Sequence, residues 1–172
     1  MKILPFLFLL GISSAGLKAQ QFQLDAAAEF NLPTCNASNR SALGFGAGLN
    51  LGYSLSNRLA LSSSIAYNYF VGKKFMGYRM QGLSAFPLKV GLRYYTSTDF
   101  YFEGLGGVAM QSNTGNSSGA WSFGMGTRST KQPLNFSIRY ESWLDPNFGL
   151  ASFGQKTAFD FIALRLAYQF LK

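Results

Sequence analysis

The sequence predicts an all-β fold: an eight-stranded, antiparallel, up-and-down transmembrane β-barrel over residues 20–172, preceded by a cleavable signal peptide over residues 1–19. Three observations carry this reading. Apolar residues alternate with small or polar ones along most of the chain, the periodicity of strands with two unlike faces. Only 13% of the residues are charged and 48% are hydrophobic, whereas a soluble domain carries about 25% charge. The alternating segments number eight, and their lengths suit strands that cross a bilayer at a tilt.

The leader comes first. Lys2 supplies a charged start, Ile3 to Leu10 an apolar run interrupted by Pro5, and small residues follow, the order of a secretory signal. Leu17-Lys18-Ala19 before Gln20 places cleavage after Ala19, with Ser13-x-Ala15 as the competing site. The apolar run is far shorter than the ~20 residues of a helical span. Cleavage after Ala19 leaves 13 basic and 7 acidic residues, a balance of +6. Cys35 lies well past either site, so it is not placed as a lipid-modified first residue. No later stretch is long and apolar enough for a membrane helix, so a membrane would be crossed by strands.

The strands follow in order. The first, about 21–31, sets Phe22, Leu24, Ala26, Ala28 and Phe30 against Gln21, Gln23, Asp25, Ala27 and Glu29. In the second, about 43–55, seven apolar residues from Leu43 to Leu55 oppose glycines, Asn50 and Ser54. The third opposes Leu59, Leu61, Ile65, Tyr67, Tyr69 and Val71 to Ala60, Ser62, Ser64, Ala66 and Asn68. The fourth, about 83–95, carries Lys89, Gly91 and Arg93 on its polar face, and Pro87 within it predicts a local bulge because proline cannot donate to a ladder. The fifth, about 100–111, is the least regular: Gly104 and Gly106 fall on its apolar face and Leu105 on the other. The sixth, about 119–129, sets Trp121, Phe123 and Met125 against Ser122, Gly124, Gly126 and Arg128. The seventh opposes Leu134, Phe136, Ile138 and Tyr140 to Asn135, Ser137, Arg139 and Glu141. The eighth, about 158–170, opposes Ile162, Leu164, Leu166, Tyr168 and Phe170 to Ala163, Arg165, Ala167 and Gln169.

Connections alternate in length. Ser56-Asn57-Arg58, Ser97-Thr98-Asp99 and Lys131-Gln132-Pro133 are short, whereas 32–42, 72–82, 112–118 and 145–157 are longer. Short turns at one end and longer loops at the other are the asymmetry of outer-membrane barrels. The polar face is mostly Gly, Ser, Ala and Asn, too small for a soluble shell, and the apolar face holds more large side chains than an eight-stranded lumen can pack. The apolar face therefore points out to lipid and the small, polar face points in. Tyr67, Tyr69, Tyr78, Trp121 and Trp143 would form a girdle at the loop end. Tyr53, Tyr94, Tyr95, Phe100, Phe102, Tyr168 and Phe170 would form one at the turn end.

Several segments together resemble a known group. The leader ending Lys18-Ala19-Gln20, the strand Phe86-Pro87-Leu88-Lys89-Val90-Gly91-Leu92-Arg93-Tyr94-Tyr95 and the segment Phe100-Tyr101-Phe102-Glu103-Gly104 resemble the small eight-stranded outer-membrane barrels, within them the porin-T-like outer membrane protein β-barrel domain group. The resemblance covers nearly the whole mature chain. It implies residence in a bacterial outer membrane and a final strand whose aromatic end is read by the barrel-assembly machinery. Tyr168 and Phe170 match that signal, although Leu171 and Lys172 follow and Arg165 stands where glycine is common.

The inward parity collects Asp25, Glu29, Glu103 and Glu141 with Lys89, Arg93, Arg128, Arg139 and Arg165. Buried charges must pair or bear a large desolvation cost, so a salt-bridge network filling the lumen is favoured over an ion or solute path. Enzyme chemistry finds no support. The chain has no His, which removes imidazole bases and most metal sites. Gly115-Asn116-Ser117-Ser118-Gly119 matches a nucleophile elbow only in spelling. Gly44-x-Gly46-x-Gly48 is the inner face of a strand rather than a phosphate loop. A carboxylate-only glycosidase is disfavoured by the arginines beside the acids. The lone Cys35 forbids an internal disulfide, and neither cofactor nor metal is expected. Nucleic acid is disfavoured because the positive charges are scattered, with no basic run longer than Lys73-Lys74.

Arg40, Lys73, Lys74, Arg79 and Lys156 fall in the longer loops, where anionic lipid attracts bases at roughly 1 kcal/mol each. Outer-membrane lipid is the expected partner; for the loop bases two readings stand open, contact with the phosphates of lipopolysaccharide or an ordinary solvated surface, and any further surface ligand is not specified by the sequence. The expected role is structural or interactive, without catalysis. A narrow gated channel or small-solute transporter is the first alternative, and a secreted lipocalin-like binder with its faces reversed is the second.

Overall fold

The structure is a computed structural model that describes residues 22–75, 78–79, 81–112, 115–129, 132–145 and 157–171. The leader, and with it the cleavage site, lies outside the described residues. Eight long strands close a barrel: β1 (Phe22–Thr34), β2 (Ser41–Ser54), β3 (Leu59–Gly72), β6 (Leu83–Tyr95), β7 (Phe100–Gln111), β8 (Ser117–Arg128), β9 (Leu134–Asp145) and β10 (Thr157–Leu171). A short helix α1 (Ala37–Arg40) joins β1 to β2, and two-residue strands β4 (Lys74–Phe75) and β5 (Tyr78–Arg79) form a hairpin between β3 and β6. Each long strand pairs antiparallel with its chain neighbours, and β10 returns to β1. This is the up-and-down order that alternation with short connections dictates, because each strand finds the next one within reach of a turn.

The two faces are sorted as in a protein dissolved in lipid. Outside, Phe45, Leu49, Val90, Phe123, Phe136 and Leu166 are about half exposed or more; inside, Glu29, Asn50, Ser64, Lys89, Arg139 and Glu141 are buried. A soluble chain does not expose a continuous apolar wall of this kind. The reversed-face, lipocalin-like alternative is thereby overturned. Among the described residues no helix is long and apolar enough to cross a membrane.

The short turns share one device. The Ser56 Oγ accepts hydrogen bonds from the backbone N–H groups of Arg58 and Leu59, at 3.3 and 3.1 Å. Ser97 does the same for Asp99 and Phe100 at 3.4 and 3.1 Å, and the Ser129 Oγ accepts from Gln132 N–H at 3.1 Å. A serine that takes up its own turn's donors lets a four- or five-residue connection close without leaving them unpaired.

Several expectations are corrected. Pro87 makes no bulge: it pairs with Ala109 in unbroken register on one side. On the other, pairing with β3 lapses between Ile65↔Leu88 and Asn68↔Ala85 and resumes in the same register. The missing donor of Pro87 interrupts the ladder without adding a residue. Register does shift at Leu24/Asp25, where Phe170 is left over between Leu171 and Gln169, and at Ser41/Leu43. The connection expected over 32–42 shrinks to 35–40, since β1 runs on to Thr34 and β2 starts at Ser41.

Candidate functional site

The lumen is built in layers, each from residues two apart on neighbouring strands. At mid-height four carboxylates and four cations are buried: Asp25, Glu29, Glu103 and Glu141 with Lys89, Arg93, Arg139 and Arg165. Two pairs are cross-strand neighbours, Arg93 with Glu103, and Arg165 with Glu29. Arg93 Nη2 lies 2.7 Å from Glu103 Oε2, and Arg165 Nε lies 3.6 Å from Glu29 Oε1. The rest span the barrel. Lys89 on β6 pairs with Glu141 on β9, and Arg139 on β9 pairs with Glu29 on β1 and, at 3.6 Å, with Glu103 on β7. Ser62 on β3 donates to Glu103 Oε2 at 2.9 Å.

Two of the predicted charges behave differently. Asp25 is held by Gln23, whose Nε2 donates to Oδ1 and Oδ2 at 3.1 and 2.8 Å. Arg128 is only half-buried at the turn end, with its guanidinium 5.8 Å from the Tyr95 ring. Arg128 ends a strand, where its long stem reaches water. The fully buried charges therefore balance four to four, closer than the four to five the sequence suggested.

Above the charges, at the loop end, lies an aromatic layer that the sequence reading missed. Phe70, Trp143, Phe159 and Phe161 are buried together with Leu83 and Ala37. Their rings meet edge to face at 4.8 to 5.6 Å around Phe70, a preferred aromatic geometry. Trp143 is thus 0% exposed rather than part of an outer girdle. Tyr95 likewise turns inward, its hydroxyl 3.4 Å from Gln23 Oε1. The signal was parity: Trp143 continues Arg139 and Glu141, and Phe159 and Phe161 precede Ala163 and Arg165. The indole joins the layers, because Trp143 Nε1 donates to Glu141 Oε1 at 2.8 Å.

The inner glycines of β2 and β8 make this filling possible. A Cβ on Gly44 would meet the Phe70 ring at 2.5 Å, and one on Gly126 would meet the Tyr101 ring at the same distance. Tyr101 in turn lies under Arg93, whose guanidinium carbon is 4.4 Å from the ring centroid.

At the loop end the structure brings four of the five predicted bases onto adjoining connections. The Lys73 N–H donates to Arg40 O at 2.9 Å, Lys73 and Lys74 are exposed, and Lys74 sits opposite Arg79 in the β4–β5 hairpin. Partial burial pulls the Arg40 guanidinium below its usual range, yet an arginine stays charged. Lys156 lies outside the described residues, as do the side chains of Tyr78 and Arg79. Tyr67, Tyr69, Tyr94, Trp121, Tyr168 and Phe170 face outward as expected, and no helix follows Gly115–Gly119, which leads into β8.

A closed eight-stranded antiparallel barrel with an apolar exterior has the architecture of the small outer-membrane barrels. Ail of Yersinia pestis, in a phospholipid bilayer nanodisc, aligns with a TM-score of 0.59 at 12% identity, over 86% of this chain and 99% of that one. Its complex with the heparin analogue sucrose octasulfate gives 0.56 at 13%, over 87% and 98%. Neisserial surface protein A gives 0.50 at 15% identity, and a de novo designed transmembrane β-barrel 0.54 at 15%, each over 86% of this chain and 94% of the other. At such identities the likeness is one of fold. Neither a family model nor a curated protein sequence matches the chain.

Proposed function

We propose that the protein is an integral outer-membrane barrel, exported by its signal peptide, that serves at the cell surface as a structural or interaction protein without enzymatic activity. Its lumen is plugged rather than conducting. The observation that carries this reading is the interior itself: four buried carboxylates face four buried cations under a layer of packed rings. Glu29, Glu103 and Glu141 pair with Lys89, Arg93, Arg139 and Arg165, and paired charges in so narrow a lumen leave little field or room for a passing ion.

The partner at the loop end is the phosphate-bearing surface of outer-leaflet lipopolysaccharide. Lys74 and Arg79 are register partners in the hairpin, and Lys73 and Lys74 are exposed beside them in sequence, so several bases share one connection at the loop end. The complex of Ail with a polysulfated sugar shows polyanion binding on the same fold. Tyr168 and Phe170 on β10 are the residues for the barrel-assembly machinery.

Two experiments test the proposal. A folded barrel resists extraction from envelopes by urea and migrates faster on a gel before boiling than after; a chain that stays soluble without detergent and shows no heat-dependent shift contradicts membrane residence. Replacing Lys73, Lys74 and Arg79 together by Glu weakens binding to lipopolysaccharide by about 1 kcal/mol per residue. That loss shrinks above roughly 0.1 M salt, where screening shortens to about 10 Å. Unchanged binding at all salt concentrations makes these bases an ordinary solvated surface.

A further inference from the structure

Three buried arginines share two glutamates in the middle of the lumen. Glu103 takes Arg93 and, at 3.6 Å, Arg139, while Glu29 takes Arg139 and, at 3.6 Å, Arg165. Lys89 and Glu141 pair separately, and Asp25 accepts its hydrogen bonds from Gln23 rather than from a cation. The arginine donors therefore outnumber the acceptors within their reach. Among the described residues, Arg139 Nε and Nη1 and Arg165 Nε are buried without a hydrogen-bond acceptor, on side chains 2% and 3% exposed. These two arginines are diagonal neighbours on β9 and β10, since Arg139 pairs with Ala163 and Arg165 with Ser137, and both address the same oxygen, Glu29 Oε1. Across β1 from Arg165, the buried Asn50 has neither amide atom bonded, and the inner face of β2 on either side of it carries only Gly48 and Gly52. A buried donor left without an acceptor is costly, and more so when it is charged.

We propose that the lumen holds one small monovalent anion, a halide such as chloride, on the spare N–H groups of Arg139 and Arg165, with Asn50 Nδ2 as a further donor. Charge points the same way. With the half-buried Arg128 included, five cations share the lumen with four acids, and one such anion cancels the excess. Size selects a halide over a phosphate or a carboxylate, because an eight-stranded interior is only just wide enough for its own side chains. The ion enters from the turn end, where Arg128 stands by the Tyr95 ring and its charge draws anions toward the mouth. The aromatic layer lies at the other end. An ion that enters and leaves by one end carries no current, so a plugged lumen and an occupied one are compatible.

Chloride and gluconate distinguish a bound halide from general salt effects. Urea unfolding of the purified barrel in detergent micelles is measured as sodium chloride replaces sodium gluconate at constant ionic strength. An anion that binds only the folded state stabilises it by mass action, so each tenfold rise in chloride above the dissociation constant should lower the unfolding equilibrium constant about tenfold. Arg165→Gln, in protein whose heat-dependent gel shift shows it folded, should lose this dependence. Arg58→Gln, which removes an exposed charge at the turn end, should keep it. Crystals soaked in bromide should show one anomalous peak within hydrogen-bond reach of Arg139 and Arg165, and this arm decides the site if Arg165→Gln does not fold. A wild-type barrel equally stable in chloride and gluconate overturns the inference, and water then serves the spare donors. A chloride dependence that survives in Arg165→Gln overturns it too, because the ion then sits elsewhere. A bromide peak without any dependence in solution is binding at crystal concentration only, and it overturns the resident ion.

Discussion

Arg139 is the residue on which the interior turns. From β9 it reaches Glu29 on β1 and Glu103 on β7, so it joins strands that are not neighbours in the sheet. Its removal leaves two carboxylates short of a partner in a low-dielectric interior, the situation in which breaking a buried pair is costly. Arg139→Ala should lower unfolding stability by on the order of 3 kcal/mol, read from urea denaturation in detergent micelles. A loss near zero means that water already screens these groups. The parity of each charge was legible in the sequence, because strands alternate by strict rule. Which acid meets which base was not, since Lys89 and Glu141 are 52 residues apart and only barrel closure brings them together. Arg128 shows the same limit, as parity says nothing of how near a residue stands to the rim.

At the scale of elements, β2 and β3 pack as a matched pair in which one strand gives up side chains to the other. Phe70 lies over Gly44, where an added methyl would meet its ring at 2.5 Å. Gly44→Ala should therefore destabilise the barrel by about 1 to 3 kcal/mol, the usual cost of overpacking. Phe70→Leu should recover part of that loss in the double variant. Additive effects measured in a double-mutant cycle contradict the packing described here. The sequence showed the glycines but not their purpose: alternation distinguishes small from large without saying what fills the space that the small residues leave. The aromatic layer escaped notice for a related reason. Trp143, Phe159 and Phe161 are apolar at inward positions, and a rule that equates apolar with outward assigns Trp143 to a lipid girdle. The turns were easier, since Ser56 and Ser97 stand where the structure uses them, within a short polar break between two alternating runs.

For the whole molecule, the inside-out sorting of the two faces was the most legible feature, because it depends on composition and period alone. The same sorting makes the central claim a statement about transport. Buried rings gather at one end of the lumen and buried charges at its middle, and the proposed plug is the claim that together they leave no path between the two sides. The most direct test is the steady-state conductance of the purified barrel in a planar bilayer, compared with that of Arg139→Ala. A plugged lumen predicts no regular openings in the wild type, with at most a small leak in the variant as water enters around Glu29 and Glu103. Regular ion-selective openings in the wild type, with Arg139→Ala changing the selectivity while thermal stability stays intact, would show that the charges line a path rather than close it.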